Sequence, residues 1–371
     1  MQLPIAANKM IITILAIVAF STTAAQSADG WYKVFTGNMG TNAATLHLHK
    51  SAKSYNGYLW FLQNQCPLQL YYNESLKKSD SIILSAGSGT IRIMLSGILN
   101  ENSFSGTGLL SNNNGVPTQA AFVMRVDTQR SFTPFNYYYT EGFAKLPLEL
   151  KNQSDCHYVG SSVWPINNSS SDEAFRNETR EMLGIKNVSE NVGRFLIDEK
   201  NRCISTWKKE RGKISLKEAS DMGLSLTLQE EVFVLVMFEN EKYITLANYN
   251  TVYNGGAHKI FATTLATFNK HTGKKLKLSD VLNTAGIQQL PALLEKVARA
   301  QYNIKNSKPL NKNGFIVQRI KANPNFYVTG NGIGFVYPPA SIKAFDAGEI
   351  NLLVPFAEFK NYLQPNIITK R

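Results

Sequence analysis

The chain has 371 residues, of which 43% are hydrophobic, and a formal net charge of +12 at pH 7. This length predicts two to three domains, and the hydrophobic content is typical of a globular protein and excludes an intrinsically disordered one. After residue 28, no stretch is long and apolar enough for a transmembrane helix, which needs about 20 residues.

The N-terminal segment, 1–28, has the pattern of a secretory signal peptide. Lys9 precedes an apolar run, Met10–Phe20, and small residues follow at Ser21–Ala28. The apolar run is shorter than the ~20 residues of a membrane span, which favours a signal peptide over an N-terminal anchor. No cysteine lies directly after the run, so a bacterial lipoprotein is disfavoured. We therefore expect export to the periplasm or the extracellular space.

Three cysteines follow this segment, Cys66, Cys156 and Cys203. An odd number in an exported chain leaves one thiol unpaired, or none paired. Cys156 and Cys203 flank the same segment and are the expected pair if one forms. The sequence has no Cys-x-x-Cys and no Cys/His spacing typical of a metal site, so we expect neither a metal nor another cofactor.

Residues 29–150 are predicted to form an antiparallel, all-β domain, either a meander or a small barrel. Short alternating runs are separated by turn clusters such as Ser54–Gly57 and Asn112–Gly115, and Asn-Gly pairs favour hairpins. The predicted strands are Trp31–Thr36, Ala44–His49, Gly57–Gln63, Leu68–Tyr72, Ser81–Ser85, Thr90–Ile98, Ser103–Leu110, Gln119–Val126 and Asn136–Ala144. Period-2 alternation with frequent turns is typical of such folds.

Two histidines in this domain have alternative interpretations. His47 and His49 lie on one face of a predicted strand, about 7 Å apart. They are either two metal ligands or two polar residues on the solvated face opposite Leu46 and Leu48. Because no third ligand is in sight, we favour the solvated face.

An aromatic group in the same domain also has two interpretations. Aromatic rings stack on the apolar faces of sugars, so the group is a candidate carbohydrate-binding surface. Aromatic residues are also favoured in strands for ordinary packing, which is the alternative. The members are Tyr58, Trp60, Tyr71, Tyr72, Tyr137, Tyr138 and Tyr139.

Residues 151–371 are predicted to form an α+β domain, with helices packed on an antiparallel sheet. Helical periodicity occurs at Ala174–Leu183, which Gly184 ends, and at Asn191–Lys209. Strand patterns follow at Met222–Leu228 and Val232–Glu239, predicted as a hairpin, and at Tyr243–Tyr249 and Ile260–Phe268. Later elements are a helical turn at Val281–Leu282, a helix starting at Pro291, a hairpin of Asn325–Thr329 with Gly332–Tyr337, a strand Glu349–Pro355 and a final turn 356–363.

The candidate site is the loop between two of these strands, Tyr253-Asn254-Gly255-Gly256-Ala257-His258. Two adjacent glycines indicate positive φ or a close backbone approach. A catalytic His258 would need an orienting carboxylate and a nucleophile, and no Gly-x-Ser-x-Gly element is present. The alternatives are a tight strand crossing, with His258 bonded to backbone, and a partner-binding surface. The candidate ligand-binding residues are Tyr253, Asn254, Gly255, Gly256 and His258, and no catalytic residue is assigned.

This loop also begins a series of motifs that resembles the RsiV-type C-terminal domain. The series continues with Thr272–Leu282, Phe326–Val328, Gly332–Tyr337, Ile342–Gly348 and Val354–Phe359. The resemblance divides the second domain into a helix–strand part, 163–250, and a family-motif part, 251–371. It implies an uncharacterised exported α+β domain, one that also occurs beside peptidoglycan deacetylase domains and in anti-sigma factors that bind lysozyme.

Two activities of such proteins do not transfer through this resemblance. The anti-sigma factors carry a cytoplasmic segment and a membrane helix, and the deacetylases a separate domain with Asp-Asp and His-x-x-x-His motifs. Neither is found here, and Lys259 stands where the family often has proline. The basic chain would also be repelled by lysozyme, which is typically basic.

The sequence therefore predicts an exported, non-catalytic binding module of the cell envelope, whose ligand is a protein, including a lysozyme-like one, or a glycan. Export disfavours nucleic acid as a partner. The densest basic cluster, Lys270 with Lys274, Lys275 and Lys277, is either a solvated hairpin or a surface for anionic polymers. The alternatives are a structural periplasmic protein and a glycan- or cell-wall-active hydrolase, which needs two carboxylates about 5–10 Å apart. Acids near the family motifs are Asp280, Asp346 and Glu349.

Overall fold

The computed structural model describes residues 30–63, 65–72, 81–88, 91–111, 117–129, 132–145, 155–166, 170–187, 189–215, 217–218, 226–365 and 367. The expected signal peptide, 1–28, lies outside these residues. Of the helices within them, none has the length and apolar character needed to cross a membrane.

The first eight strands close into an antiparallel barrel. They are β1 Gly30–Met39, β2 Asn42–Ser51, β3 Ser54–Phe61, β4 Leu68–Tyr72, β5 Ile82–Ser88, β6 Ile91–Leu99, β7 Ser103–Ser111 and β8 Thr118–Val126. Each pairs with its neighbour in sequence, and β1 pairs with β8, where Phe35 lies opposite Val126. Alternation in the sequence sends every second side chain inward. The interior is filled by fully buried residues such as Phe35, Leu46, Leu59, Leu95 and Phe104. Of the two predicted alternatives, a meander or a small barrel, the barrel is confirmed.

A second sheet of five strands lies against the barrel. Its strands are β9 Phe135–Lys145, β10 Asp155–Pro165, β11 Leu228–Glu239, β12 Tyr243–Tyr253 and β13 Ile260–Asn269, in the order β13-β12-β11-β10-β9. Strands β10 and β11 run parallel, and the other neighbours are antiparallel. The connection between β10 and β11 contains the two predicted helices, α1 Ser170–Leu183 and α2 Val192–Arg211, as a parallel pair requires a long crossover.

The second sheet differs from the sequence prediction at three strands. Strand β9, expected in the first domain, pairs with β10, and β10 itself was not predicted. The predicted turn at 229–231 is wrong, because Leu228–Glu239 is one strand. Its polar start resembles a turn, but Glu230 faces Arg202 of α2 at 3.7 Å, and Glu231 lies within 3.8 Å of Lys259 on the other side.

The C-terminal part packs two helices on a small antiparallel sheet. The elements are α3 Leu278–Val281, α4 Thr284–Gln301, β14 Phe326–Val328, β15 Gly332–Tyr337 and β16 Ile350–Pro355, with 3-10 turns at Leu310–Lys312, Phe345–Ala347, Phe356–Glu358 and Lys360–Tyr362. Its core joins Leu290, Leu294 and Ala298 of α4 to strand residues such as Ile333 and Leu352. The predicted hairpin and last strand are confirmed.

The predicted start of α4 at Pro291 is wrong. The helix begins at Thr284, after Asn283, whose side-chain oxygen accepts a hydrogen bond from the Gly286 amide at 2.9 Å. Pro291 lies inside the helix. Asparagine is a preferred N-cap residue, and this cap outweighs the preference of proline for the first turn.

Direct contacts hold the barrel on the second sheet and on the C-terminal part. Trp60 packs on Phe238 with ring centroids 5.0 Å apart, and the Val236 amide donates to His49 Nε2 at 3.3 Å. The Gly330 amide donates to Gln65 Oε1 at 2.5 Å. These contacts fix the seam between the three parts, where the candidate site lies.

Candidate functional site

A cleft of about 590 Å³ opens where the barrel turns away from the second sheet. We call it the seam cleft. Its barrel wall, from the β2–β3 hairpin and β4, includes Ala52, Lys53, Tyr71 and Tyr72. Its sheet wall, from β9 to β12, includes Tyr139, Glu141, His157, Glu231, Phe233 and Tyr249.

The register of the second sheet places the side chains of the sheet wall on one face. Glu141 lies opposite Val159, and Val159 lies opposite Glu231. Side chains alternate between faces along a strand. Residues two positions farther along each strand therefore share this face. They form a neighbouring row of Tyr139, Ser161, Phe233 and Tyr249. The opposite face packs on α1 and α2.

Aromatic rings from both walls meet in the seam cleft. The ring centroids of Tyr71 and Tyr249 are 6.0 Å apart, and those of Tyr249 and Phe233 are 6.3 Å apart with nearly parallel planes, at 2°. Phe233 is buried beneath them, whereas Tyr71 is 37% exposed. The cleft therefore has an aromatic ring on each wall.

A hydrogen-bonded group of polar side chains lies beside these rings. His157 Nε2 is 2.7 Å from Glu141 Oε1, and the Tyr139 hydroxyl donates to the other carboxylate oxygen. The Glu141 and His157 side chains are 40% and 33% exposed, so both are accessible from the cleft. Partial burial acts to raise the pKa of Glu141, but these hydrogen bonds and the charges of His157 and Lys53 outweigh it and lower the pKa below its ordinary value.

A second carboxylate, Glu231, lies two strands from Glu141 on the same face. With strands about 4.8 Å apart, their Cα atoms are separated by about 10 Å. Glu231 Oε1 is 3.8 Å from the ammonium group of Lys259, and its side chain is 28% exposed. The seam cleft thus contains two carboxylates, each with a basic partner.

The β2–β3 turn at the mouth of the cleft has an unusual backbone. Ala52 has a φ of 51°, in the left-handed region that costs a residue with a Cβ atom about 1–2 kcal/mol. Strain of this kind clusters at functional sites. Lys53 of this turn lines the cleft, and its charge contributes to the lowered pKa of Glu141.

A smaller cavity of about 190 Å³ lies beyond Tyr71, which lines it and the seam cleft alike. We call it the inner cavity. Barrel, second sheet and C-terminal part all line it, through residues that include Tyr58, Gln69, Phe261 and Glu349.

Glu349 is held rigidly at the inner cavity. Its two carboxylate oxygens accept hydrogen bonds from the amide and hydroxyl of Thr263, at 2.6 and 2.7 Å. Gly348 precedes it with a φ of 68°, a conformation that favours glycine. Burial raises the pKa of Glu349, although the two bonds from Thr263 act in the opposite direction.

A third cleft of about 620 Å³ lies on the helix side of the second sheet, between α1, β13 and the segment before β14. Lys275 pairs there with Glu178 at 2.7 Å. Three lysines of the predicted basic cluster form ion pairs within the chain: Lys270 with Glu239, Lys274 with Asp280 and Lys275 with Glu178.

The predicted loop lies at the end of β12, outside the three cavities described above. Tyr253 is half-buried and Asn254, Gly256 and His258 are exposed. Gly255 has a φ of 73°, so the positive φ inferred from the glycine pair is present. Arg211 donates to the Asn254 side-chain oxygen at 2.8 Å, and the His258 ring lies 5.7 Å from that of Phe345. Lys259, directly after the loop, forms an ion pair with Glu231 of the seam cleft.

The prediction that His47 and His49 lie on a solvated face is wrong. Both are buried, at 0% and 1% exposure, where the barrel meets the second sheet. The Tyr32 ring stacks on both of them. Within the described ranges, no group of three or more His, Cys, Asp or Glu side chains is placed to hold a metal ion.

The predicted aromatic group separates into four sets. Tyr71, Tyr72 and Tyr139 line the seam cleft, and Tyr58 lines the inner cavity. Trp60 and Tyr137 are buried, so they follow the packing interpretation, and Tyr138 lies on the helix side of β9, against α2. Of the three acids near the family motifs, Glu349 lines the inner cavity. A carboxylate oxygen of Asp280 accepts a hydrogen bond from the Lys277 amide at 2.8 Å, and Asp346 is exposed.

Sequence reasoning missed Glu141, His157 and Glu231. These residues come together because β9, β10 and β11 are neighbours, and β10 was not predicted. The available signal was alternation in Asp155–Pro165, where Cys156 and Tyr158 are buried and His157 and Val159 face the cleft. The Gly-Ser-Ser sequence within that strand obscures this alternation.

Comparison with known proteins places a known domain at the C-terminus. Residues 279–357 match the family described as a protein of unknown function, DUF3298. The chain therefore carries a DUF3298 domain.

Solved structures of the DUF3298 family are similar to this chain. A member from Bacteroides fragilis is 17% identical with a TM-score of 0.55, over 64% of this chain and 95% of its own. A DUF3298 family protein from Pseudomonas aeruginosa is 13% identical with a TM-score of 0.46, over 65% of this chain and 98% of its own. No curated protein matches the chain. The likeness to the Bacteroides structure indicates a shared fold and assigns no ligand.

Proposed function

We propose that the chain is an exported, non-catalytic binding protein of the cell envelope, and that its ligand is a glycan held in the seam cleft. The observation that carries the proposal is the meeting of Tyr71 and Tyr249, from two different walls, beside the paired Glu141 and His157. Export rests on the signal-peptide pattern of residues 1–28, and the narrower RsiV-type assignment belongs to the same proposal.

The chemistry of the cleft suits a neutral sugar. A pyranose ring has apolar faces of C–H groups and an edge of hydroxyl groups. Binding sites combine apolar and aromatic walls with a few placed polar groups that fix orientation. Here the Tyr71 and Tyr249 rings cover a sugar face, and Glu141, His157 and Glu231 reach its hydroxyl edge. The acids already have basic partners, so the cleft carries little net charge to attract an ionic ligand.

Calorimetric titration of the mature chain tests this proposal. The probes are oligomers of β-1,4-linked N-acetylglucosamine, β-1,4-linked glucose and α-1,4-linked glucose. We expect at least one series to bind and Tyr249→Ala to weaken it about tenfold, because losing about 60 Å² of apolar contact costs about 1.5 kcal/mol.

Tyr302→Ala is the matched control for this titration. Tyr302 is also half-buried and packs on Phe315, at 5.4 Å between ring centroids, in the C-terminal part. It lines none of the three cavities described above. If no series binds, or if the two variants lose affinity equally, the proposed function is wrong.

The pair Glu141 and Glu231 favours a glycan hydrolase as a second candidate. An inverting glycosidase places its two carboxyl groups about 6.5–9.5 Å apart, and the Cα atoms of this pair, on the same face of the sheet, are about 10 Å apart. Such an enzyme also needs a proton donor with a raised pKa, whereas the pKa of Glu141 is lowered. Release of reducing sugar from the same oligomers, abolished by Glu231→Gln, would establish hydrolysis; intact oligomers after prolonged incubation would favour binding alone.

A further inference from the structure

The inner cavity contains polar groups that the fold leaves without partners. The Tyr58 hydroxyl and the Gln69 side-chain amide nitrogen are buried, and neither has a hydrogen-bond partner among the described residues. The Tyr58 side chain is 2% exposed. An unpaired buried polar group costs about 1–3 kcal/mol. Both residues line the same cavity as the carboxylate of Glu349.

The inner cavity is continuous in its lining with the seam cleft. Tyr71 contributes to both, and its hydroxyl is hydrogen-bonded to that of Tyr249. The cavity measures about 190 Å³, which about six water molecules would fill at ~30 Å³ each. This volume is comparable with one sugar ring and too small for two.

We infer that Tyr71 divides the glycan site into two subsites, and that the inner cavity binds one sugar unit through hydroxyl contacts with Tyr58, Gln69 and Glu349. This inference rests on the proposed function. It makes the ligand an oligosaccharide of at least two linked units, with one unit on each side of Tyr71.

The groups of the inner cavity suit an uncharged, hydroxylated ring. Tyr58 and Gln69 can each donate to a sugar oxygen, and Glu349 can accept from a sugar hydroxyl while Thr263 holds it in place. Phe261 adds an apolar wall. Burial raises the pKa of Glu349, which agrees with a cavity that takes neutral groups and disfavours anionic ones.

The test compares monomer with dimer in calorimetric titrations. The probes are N-acetylglucosamine, glucose and their β-1,4-linked dimers. We expect the dimer of a binding series to bind at least tenfold more tightly than the monomer. Glu349→Gln and Tyr58→Phe should weaken dimer binding about five- to tenfold and so reduce the advantage of the dimer over the monomer.

Two controls separate this role from a structural one. Glu358→Gln removes an exposed acid that pairs with Lys296 at 2.8 Å, and it should leave both affinities unchanged. Tyr58→Phe removes a hydroxyl for which the described residues supply no partner, so its melting temperature should be equal or higher while its dimer affinity falls. A purely structural role would lower both.

Three results would overturn the two-subsite inference, with different consequences for the proposed function. A dimer that binds no more tightly than its monomer overturns the two-subsite inference and leaves the proposed function intact. Wild-type dimer affinity in both Glu349→Gln and Tyr58→Phe overturns it as well. If neither monomer nor dimer of either sugar binds, the inference is overturned, and the wider oligomer panel decides whether the proposed function falls with it.

Discussion

His47 and His49 are buried histidines at the contact between the barrel and the second sheet. The Tyr32 hydroxyl is 2.8 Å from His47 Nδ1, and the Tyr32 and His49 ring centroids are 4.6 Å apart. Burial lowers the pKa of His47 to about 3, and the charge of Lys270 acts in the same direction. Burial also lowers the pKa of His49 well below its ordinary value, and His47 acts in the same direction with a smaller effect. A hydrogen bond from the Val236 amide acts in the opposite direction.

The lowered pKa values of these histidines predict that the folded chain loses stability in acid. The unfolded chain takes up a proton at each histidine near pH 6.5, whereas the folded chain does not do so until about pH 3 at His47. The free energy of unfolding therefore falls as pH decreases through this window, by up to about 2 kcal/mol per histidine between pH 7 and pH 5. Urea unfolding at pH 7, 6 and 5 measures the slope, which His47→Phe should reduce.

The matched control for this slope is His258→Asn, since His258 is exposed. Nearby Glu239 acts with the opposite sign, because burial raises its pKa against the pull of Lys270 and the bonds from Thr133. Its contribution is greatest in acid and is lost as pH rises, so it offsets part of the histidine effect. Equal slopes in the wild type and His47→Phe would contradict the assignment.

The sequence predicted the aromatic side of the seam cleft better than its polar side. Tyr71, Tyr72 and Tyr139 belonged to the group singled out for carbohydrate binding, because aromatic residues are recognisable one at a time. Glu141 and His157 become a pair only through strand register, which a single sequence does not reveal. Gly255 has the positive φ inferred from the glycine pair, but this conspicuous pair drew attention to a loop outside the cleft.

At the scale of elements, Cys156 of β10 and Cys203 of α2 lie opposite each other. Their sulfur atoms are 3.7 Å apart and both side chains are buried. We predict that they form a disulfide when the chain is exposed to oxidised glutathione. Closing a loop of 47 residues stabilises a protein by about 4 kcal/mol in the chain-entropy model, which corresponds to about 5 °C in melting temperature for a chain of this size.

Peptide mass spectrometry without reduction identifies this bond. Cys203→Ala should remove the difference in melting temperature between oxidised and reduced chain. Cys66→Ser should preserve it, because Cys66 lies elsewhere, near the Tyr327 hydroxyl at 3.8 Å. Three free thiols after oxidation, or a melting temperature that does not respond to reduction, would contradict the prediction.

The errors in the predicted elements have local causes. The Gln-Glu-Glu start of β11 resembles a turn, yet it is paired on both sides by β10 and β12, with its acids facing partners above and below the sheet. Helix α4 begins seven residues before Pro291, because the Asn283 cap and the core contacts of Leu290 and Leu294 stabilise its first turns. Tertiary pairing outweighs local preference in both cases.

At the scale of the whole molecule, the fold class was predictable and the site was not. Alternating strands predicted the barrel, and separate runs of helices and strands predicted the second region. The seam cleft arises only when barrel, second sheet and C-terminal part assemble. Strand β9 ends before the expected boundary at residue 150, yet it pairs into the second sheet and builds part of one wall. Its two rings, Tyr71 and Tyr249, are separated by 178 positions in the sequence.

The most direct test of the central claim measures glycan affinity in variants of the two walls. Tyr71→Ala alters the barrel wall, Tyr249→Ala alters the sheet wall, and the double variant alters both. We predict about a tenfold loss for each single variant and no measurable binding for the double variant, with melting temperatures close to wild type. Wild-type affinity in either single variant would show that the two walls do not share one ligand, and would contradict the account.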